Sequence, residues 1–592
     1  MSTLEFVLLL TPGLPGLLAV TWPLRRLRRA LPRLAALAPL PALALALTPG
    51  AEGTALVLPA VFTGVHLALD AVGRAFLLLT AALWTAAAWY AERYHAQDAR
   101  REAFFGFFLL TMAGNLGLVV AADILAFYLF FATMTFAAYG LVVHTRTGEA
   151  LRAGRVYIVM AIIGEMGLLS GLFILGVASG GVPLFGLELE ATWLLLGGGT
   201  EAVGGGMGGV AVLLLVLGFG VKAGLTPLHL WLPLAHPVAP TAASALLSGV
   251  MIKAGVLGWL RYLPTESAYP LLGTALMVIG VGAAFYGVVA GLAQGDAKTV
   301  LAYSSISQMG YVALGVGAIL LDPGVAVLAL AGVVFYVLHH GMAKGALFLS
   351  VGVAERLGTS QPKWSFLFIA ALPALALAGA PFTGGARAKA VVKAVIEELG
   401  GTWYAVLDPL LLLAAAGTTL LMARFLVLLE RRMGGHTDEG GALGLAVPWL
   451  AVSAVGLAAS LWLPLAYVPP EALVLPPLRV GLAEAAGPVL LAGALAWLVW
   501  SAPERLGALT RFRVPAGDLV VLFEWAWSRT RRLPQEAFLS FGEDMVEKVR
   551  NVQRESHEYA AWLAERDLYL MRGPLLGALL LAFTLLVGAL LL

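Results

Sequence analysis

Apolar stretches of about twenty residues, each long enough to cross a bilayer as a helix, alternate with short polar or Gly- and Pro-rich breaks. About sixteen stretches stand out, near 3–22, 34–49, 72–91, 103–121, 122–143, 155–177, 208–233, 240–262, 270–293, 299–320, 325–352, 363–398, 404–429, 444–467, 484–501 and 574–592. The second is the weakest. Basic residues concentrate in alternate breaks. Arg25, Arg26, Arg28, Arg29 and Arg33 form one cluster, Arg93, Arg100 and Arg101 the next, and Arg146, Arg152 and Arg155 a third. Lys298, then Arg356 with Lys363, Arg431 with Arg432, and a last group between Arg505 and Arg572 continue the series. Over sixteen spans every cluster falls on one side, which the positive-inside rule makes cytoplasmic. Both termini then lie outside. The expected fold class is an all-α polytopic membrane protein.

Two stretches depart from the pattern. Gly197–Gly209 is rich in glycine on the external side. It lacks the Gly-Lys-Ser/Thr that a phosphate-cradling loop requires, so it reads as a flexible linker. Residues 517–572 are too charged to span. After Pro534, the apolar residues Phe538, Phe541, Met545, Val549, Val552, Tyr559 and Leu563 recur every three or four positions, with Ser556 as the one polar entrant. This predicts a cytoplasmic-side lateral amphipathic helix over 535–571, about 55 Å long, lying along the membrane surface or against partners. A soluble coiled coil is the alternative.

Composition sharpens the class. The chain is 60% hydrophobic and 12% charged, against about 25% charged in soluble domains. It has no cysteine, which excludes disulfides, thiolate-bound iron–sulfur clusters and cysteine-based zinc sites. A net charge of +2 gives no sign of nucleic-acid binding. The first stretch lacks a basic leading region and reads as a span rather than a cleaved signal.

The chemistry lies in charges within the apolar stretches. A charge near the bilayer centre is expensive, so such residues face protein or water and carry function. Lys222 stands one turn before Pro227 in a helix that Pro227 and Pro233 break. Lys253 lies in the next stretch. His340 and Lys344 share a helix face at i,i+4 spacing, and imidazole suits proton relay because it titrates near neutral pH. Pro381 and Gly384–Gly385 break a further stretch, followed by Lys389 and Lys393. Snorkelling to the headgroups is the competing account for Lys393 and Lys344. For His229 and His236, ordinary hydrogen-bonding roles compete with proton transfer. No histidine spacing pairs with carboxylates as a zinc site would require.

Three segments, AHPVAPTAASALLSGVMIKAG (Ala235–Gly255), DAKTVLAYSSISQMGY (Asp296–Tyr311) and HGMAKGALFL (His340–Leu349), together resemble the antiporter-like subunits of the complex I superfamily. That superfamily includes Mrp cation/proton antiporters and energy-converting membrane hydrogenases. The first segment is most similar to the hydrogenase and formate hydrogenlyase branch. The 535–571 helix and final span are instead similar to the tail of the distal complex I subunit. The resemblance covers residues 70–430 and implies two inverted five-helix repeats, each with a broken helix, here the seventh and twelfth spans. The domains expected are 1–102, a three-helix segment; 103–262 and 263–430, the repeats; 431–516, spans 14 and 15; 517–572, the lateral helix; and 573–592, the last span. By motif position, the resemblance implies that Lys222 is the broken-helix lysine, Lys253 the central relay and Lys389 the exit-side lysine. His340 and Lys344 would link the halves.

One position departs from the family pattern. The family usually has a glutamate on the fifth span that tunes the broken-helix lysine, and here Phe130-Phe131-Ala132-Thr133-Met134-Thr135 carries Ala132 instead. Glu165 on the sixth span, Ala132 and Lys222 all count to nearly the same depth, about 15 Å from the cytoplasmic ends. Glu165 is the expected substitute; local bonding of Glu165 to a hydroxyl is the alternative. The expectation is therefore a proton-translocating subunit of a redox-driven multisubunit complex in the prokaryotic cytoplasmic membrane. Its path would run through Glu165, Lys222, Lys253, His340, Lys344 and Lys389, with His229, His236, His339, Lys393 and Asp123 as accessory candidates. No cofactor or metal is expected, so partners would supply the driving force. The expected partners are homologous antiporter-like subunits and small membrane subunits, met partly through the lateral helix. An Mrp-like cation/proton antiporter, a channel subunit driving uptake of a solute such as inorganic carbon, and a structural subunit with a degenerate channel are the alternatives.

Overall fold

In the computed structural model, the described residues are 1–501 without 23, 25–27, 59–64, 181–186, 197–205, 358–362, 434–438 and 467–481, plus 514, 515, 517, 520 and 521. The expected lateral helix at 535–571 and last span at 574–592 fall outside them. The chain divides into two units, 1–516 and 517–592, and the first holds all that follows.

The apolar stretches form helices in chain order. They are α1 (Thr3–Val20), α2 (Leu31–Leu34), α3 (Leu40–Leu47), α4 (Ala71–Tyr94), α5 (Arg101–Val120), α6 (Ile124–Val142), α7 (Gly148–Ala178), α8 (Leu187–Leu195), α9 (Met207–Ala223), α10 (Leu232–Val238) and α11 (Thr241–Leu246). A π turn (Leu247–Met251) leads into α12 (Ile252–Tyr262). Then come α13 (Pro270–Leu292), α14 (Ala297–Leu321), α15 (Ala326–Arg356), α16 (Lys363–Ala378), α17 (Gly384–Leu399), α18 (Gly401–Arg431), α19 (Glu439–Ala466) and α20 (Leu482–Ser501). Among the described residues, ten helical segments are long and apolar enough to cross a membrane. The chain is a polytopic all-α membrane protein.

Polar side chains begin the helices where their backbone N–H groups lack partners. Asp70 caps α4 by accepting from the Gly73 amide at 2.9 Å. Thr147 does the same for α7 and Asp296 for α14. The weak second stretch is two short helices rather than one. It still runs the length of α4: Arg33 pairs with Glu92 near one end, and Arg74 donates to the Ala46 and Thr48 carbonyls at the other.

A short antiparallel pair of strands, β1 (Ala55–Leu58) and β2 (Val65–Ala68), follows α3. The apolar-run reading places only loop there. Asp123 caps α6 through the Ala126 amide at 2.7 Å and also accepts from the His66 amide of β2 at 2.7 Å. Burial is greatest in α14 and in the α11–α12 span, where 94% of each apolar window is covered. Polar groups there must find protein partners or trapped water.

Candidate functional site: a row of buried lysines

The two expected helix breaks are present, and each is built around a lysine. Helix α9 ends at Gly224, whose φ of +76° is a left-handed cap that glycine adopts without strain. The Leu225 amide returns to the Gly220 carbonyl at 2.9 Å, and the Trp231 indole satisfies the Val221 carbonyl at 2.8 Å. Lys222 is held in that last turn and is buried. Its Nζ donates to Thr135 Oγ1 at 3.0 Å and to the Tyr157 hydroxyl at 3.4 Å. Tyr157 in turn donates to the Thr135 carbonyl at 2.8 Å. The rings of Phe131 and Tyr157 each lie 5.7 Å from the ammonium, within cation–π range.

Glu165 and Lys222 line one small cavity with Phe131, Thr135, Tyr157 and Trp231. The space open to water centres is ≈ 20 Å³, room for one water. Neither carboxylate oxygen of Glu165 has a hydrogen-bond partner among the described residues. Glu165 therefore shares the cavity without a hydrogen bond to the ammonium. Ala132, the departed position, is buried on α6 beside Phe131.

The centre of the row lies between α12, α14 and α15. Lys253 Nζ is 2.7 Å from His340 Nδ1 and donates to the Ser248 carbonyl at 2.5 Å. Ser248 belongs to the π turn, a local unwinding common at functional sites. Ser248 Oγ meets Ser305 Oγ at 2.8 Å. Lys344 donates to the Leu301 carbonyl at 2.7 Å and to Ser304 Oγ. It is fully buried, which removes the snorkelling account for this residue. His339 points away from this cluster, lining a cavity with Pro373 and Ala376 of the second broken helix.

At that second break, Gly379 has φ +88° and Thr383 caps α17. Lys389 reaches back over the gap and donates to the Ala378 carbonyl at 2.6 Å, satisfying an end of α16 that the break leaves open. The Tyr311 ring lies 5.6 Å from its ammonium. Lys389 shares a cavity of ≈ 130 Å³ with Lys393 and Asp408. Lys393 pairs with Asp408 at 2.9 Å, each about a third exposed.

The accessory candidates separate. Asp123 is engaged by two backbone amides as a cap. His229 is buried with its ring 5.1 Å from that of Tyr286. His236 is buried and stacks on Phe348 at 4.6 Å. Neither His236 ring nitrogen has a hydrogen-bond partner among the described residues.

Sequence reasoning missed Thr135, Tyr157, Ser248 and Ser304 as lysine partners. The Tyr-Ser-Ser-Ile-Ser run (303–307) carries Ser304 and, bonded to Ser248, Ser305, and was a usable signal. It also missed Lys298, buried on α14 with its ammonium 2.9 Å from the Ala239 carbonyl.

Comparison with known proteins adds the relatives. A family model described as NADH:quinone oxidoreductase/Mrp antiporter, TM, matches residues 121–408. Hydrogenase-4 component B of Escherichia coli (strain K12) is 32% identical over 313 residues, 51% of this chain and 45% of that protein. The chain thus spans under half the length of that relative. NADH-quinone oxidoreductase subunit M of Rhodobacter capsulatus is 30% identical over 395 residues, 62% of this chain and 72% of that protein. A chain of the archaeal membrane-bound sulfane sulfur reductase superposes with a TM-score of 0.64 at 21% identity, covering 83% of this chain and 99% of that one. That likeness concerns the fold alone.

Proposed function

Because the chain belongs to the antiporter-like membrane subunits of the NADH:quinone oxidoreductase and Mrp antiporter family, we propose that it conducts protons as one subunit of a larger membrane complex. The observation that carries this reading is the 2.7 Å contact between Lys253 and His340, with Lys344 one turn beyond on the same helix face. An amine and an imidazole in hydrogen-bond contact form a donor–acceptor pair across which one proton can move.

The rest of the row extends from that pair. At one end Glu165 and Lys222 share a cavity with room for a single water, which would bridge carboxylate and ammonium. Glu165 then takes the place of the fifth-span carboxylate missing at Ala132. At the other end His339 faces the second broken helix, beyond which Lys389 lies in the larger cavity with Lys393 and Asp408. Protons would pass from Lys222 to Lys253, across His340 and Lys344, and out by Lys389. The chain has no cysteine to hold an iron–sulfur cluster, so partner subunits would supply the driving force.

Replacing His340 by Ala in the assembled complex tests this reading. Proton movement should fall by about tenfold or more, the scale of a lost proton-transfer group, while the complex still assembles. Unchanged proton movement in His340→Ala would contradict it.

A further inference from the structure

Away from the lysine row, two separate chain segments bring two imidazoles and a carboxylate to one point. His95 ends α4, Asp98 lies in the following turn, and His144 follows the end of α6. One ligand atom from each lies within 4.8 Å of the others. His95 Nδ1 is 2.8 Å and His144 Nε2 is 2.6 Å from the same oxygen, Asp98 Oδ2. We propose that His95, Asp98 and His144 form a binding site for a divalent transition metal of the zinc class.

The donor set selects the class. Two imidazole nitrogens with one carboxylate suit zinc, cobalt or nickel, whereas magnesium and calcium prefer all-oxygen shells. Three protein ligands leave a fourth position open. The side chains of His95 and His144 are 3% and 8% exposed, but Asp98 keeps 27% of its surface open. That side gives the metal its access and a water its place.

The surroundings already orient the ligands, as second-sphere groups do in metal sites. The other Asp98 oxygen accepts the Arg100 amide at 2.8 Å, and the Arg100 guanidinium donates to the His144 carbonyl at 3.0 Å. The Phe104 ring lies 3.9 Å from that of His95 and 5.3 Å from that of His144.

The nitrogen–oxygen separations are those of hydrogen bonds. Around a tetrahedral ion with bonds of about 2.0–2.1 Å, ligand atoms sit about 3.3 Å apart. Asp98 must therefore withdraw by about half an ångström, which its exposed turn permits. Without metal both imidazoles donate to one oxygen, and the buried His95 Nε2 has no hydrogen-bond partner among the described residues. Metal at Nδ1 would move the proton to Nε2, where no acceptor among the described residues receives it, a cost the metal–nitrogen bond must exceed. The nearby Arg100 and Arg101 charges oppose a cation and should hold affinity to the micromolar range or weaker.

Co²⁺ titration of the tag-free full-length chain, purified with its complex and stripped by chelator, tests the site. One equivalent should bind, give a visible ligand-field band and be displaced by Zn²⁺. His144→Ala, His95→Ala and Asp98→Asn should each weaken binding by about tenfold or more, while Glu149→Gln, at an exposed position, should not. Equal binding by the wild type and the three variants would overturn the proposal. The wild type decides the matter even if a variant fails to fold: no stoichiometric band, or X-ray absorption without imidazole scattering at the bound cobalt, also overturns it.

Discussion

Lys222 and Lys253 are both lysines buried within spans, yet they are supported in different ways. Lys253 has an imidazole and a backbone carbonyl in direct contact. Lys222 has two hydroxyl groups and two aromatic rings, with the nearby carboxylate held off across a small cavity. Neutral hydroxyls stabilise an ammonium less than a carboxylate does, so Glu165 remains the group that can switch the charge balance. Glu165→Gln should lower proton transport by about tenfold or more. Adding Ala132→Glu should recover part of it, because it restores a buried carboxylate on α6, the helix that carries the Lys222 partner Thr135. Transport equal to wild type in Glu165→Gln, read by quenching of a pH-sensitive dye in vesicles, would remove Glu165 from the account. The shared depth of Glu165 and Lys222 was legible from counting helix rise along two spans. Thr135 and Tyr157 were not, because hydroxyls are common within membrane helices and carry no charge to mark them.

Elements were easier to read than their interruptions. A membrane span needs a long apolar run, and such runs are visible without knowing what they pack against. The prolines at 227, 233 and 381 marked both broken helices for the same local reason. The strand pair 55–58 and 65–68 was hidden because each strand is four residues long and β2 is tied to Asp123 at the start of α6. The π turn at 247–251 was hidden because nothing in Leu-Ser-Gly-Val-Met demands it; packing against α15 and the Lys253 contact settle it locally. The second break rests on a close approach: a Cβ at Gly385 would collide with the Ala376 carbonyl oxygen. Gly385→Ala should cost about 1–3 kcal/mol through overpacking, seen as a lower melting temperature of the detergent-solubilised chain. An unchanged melting temperature would mean that α16 and α17 can part without loss.

At the scale of the whole molecule, ion pairs between described residues tie the ends of helices together. Arg261 ties the end of α12 to Asp70 at 3.0 Å and to the last carbonyls of α5. Arg432 bridges Asp296 and Glu355 at another corner. The His95–Asp98–His144 cluster was out of reach of sequence spacing, since 46 residues separate Asp98 from His144 and only the return of α6 joins them. Helices α7 and α9 leave Ile162, Ile163, Met166, Phe173 and Leu213 exposed, apolar surface suited to lipid or to neighbouring membrane subunits. Extraction in a mild detergent should therefore bring further membrane subunits with this chain, identifiable by mass spectrometry; recovery of the chain alone under all mild conditions would count against a multisubunit setting. The central claim is proton conduction through Lys253. Its most direct test is proton movement in inverted membrane vesicles energised through the assembled complex, comparing wild type with Lys253→Ala at matched subunit content and with sodium replaced by choline. The account predicts wild-type proton movement that does not require sodium and its near-complete loss in Lys253→Ala. Full proton movement in the variant, or a strict sodium requirement in the wild type, would contradict it.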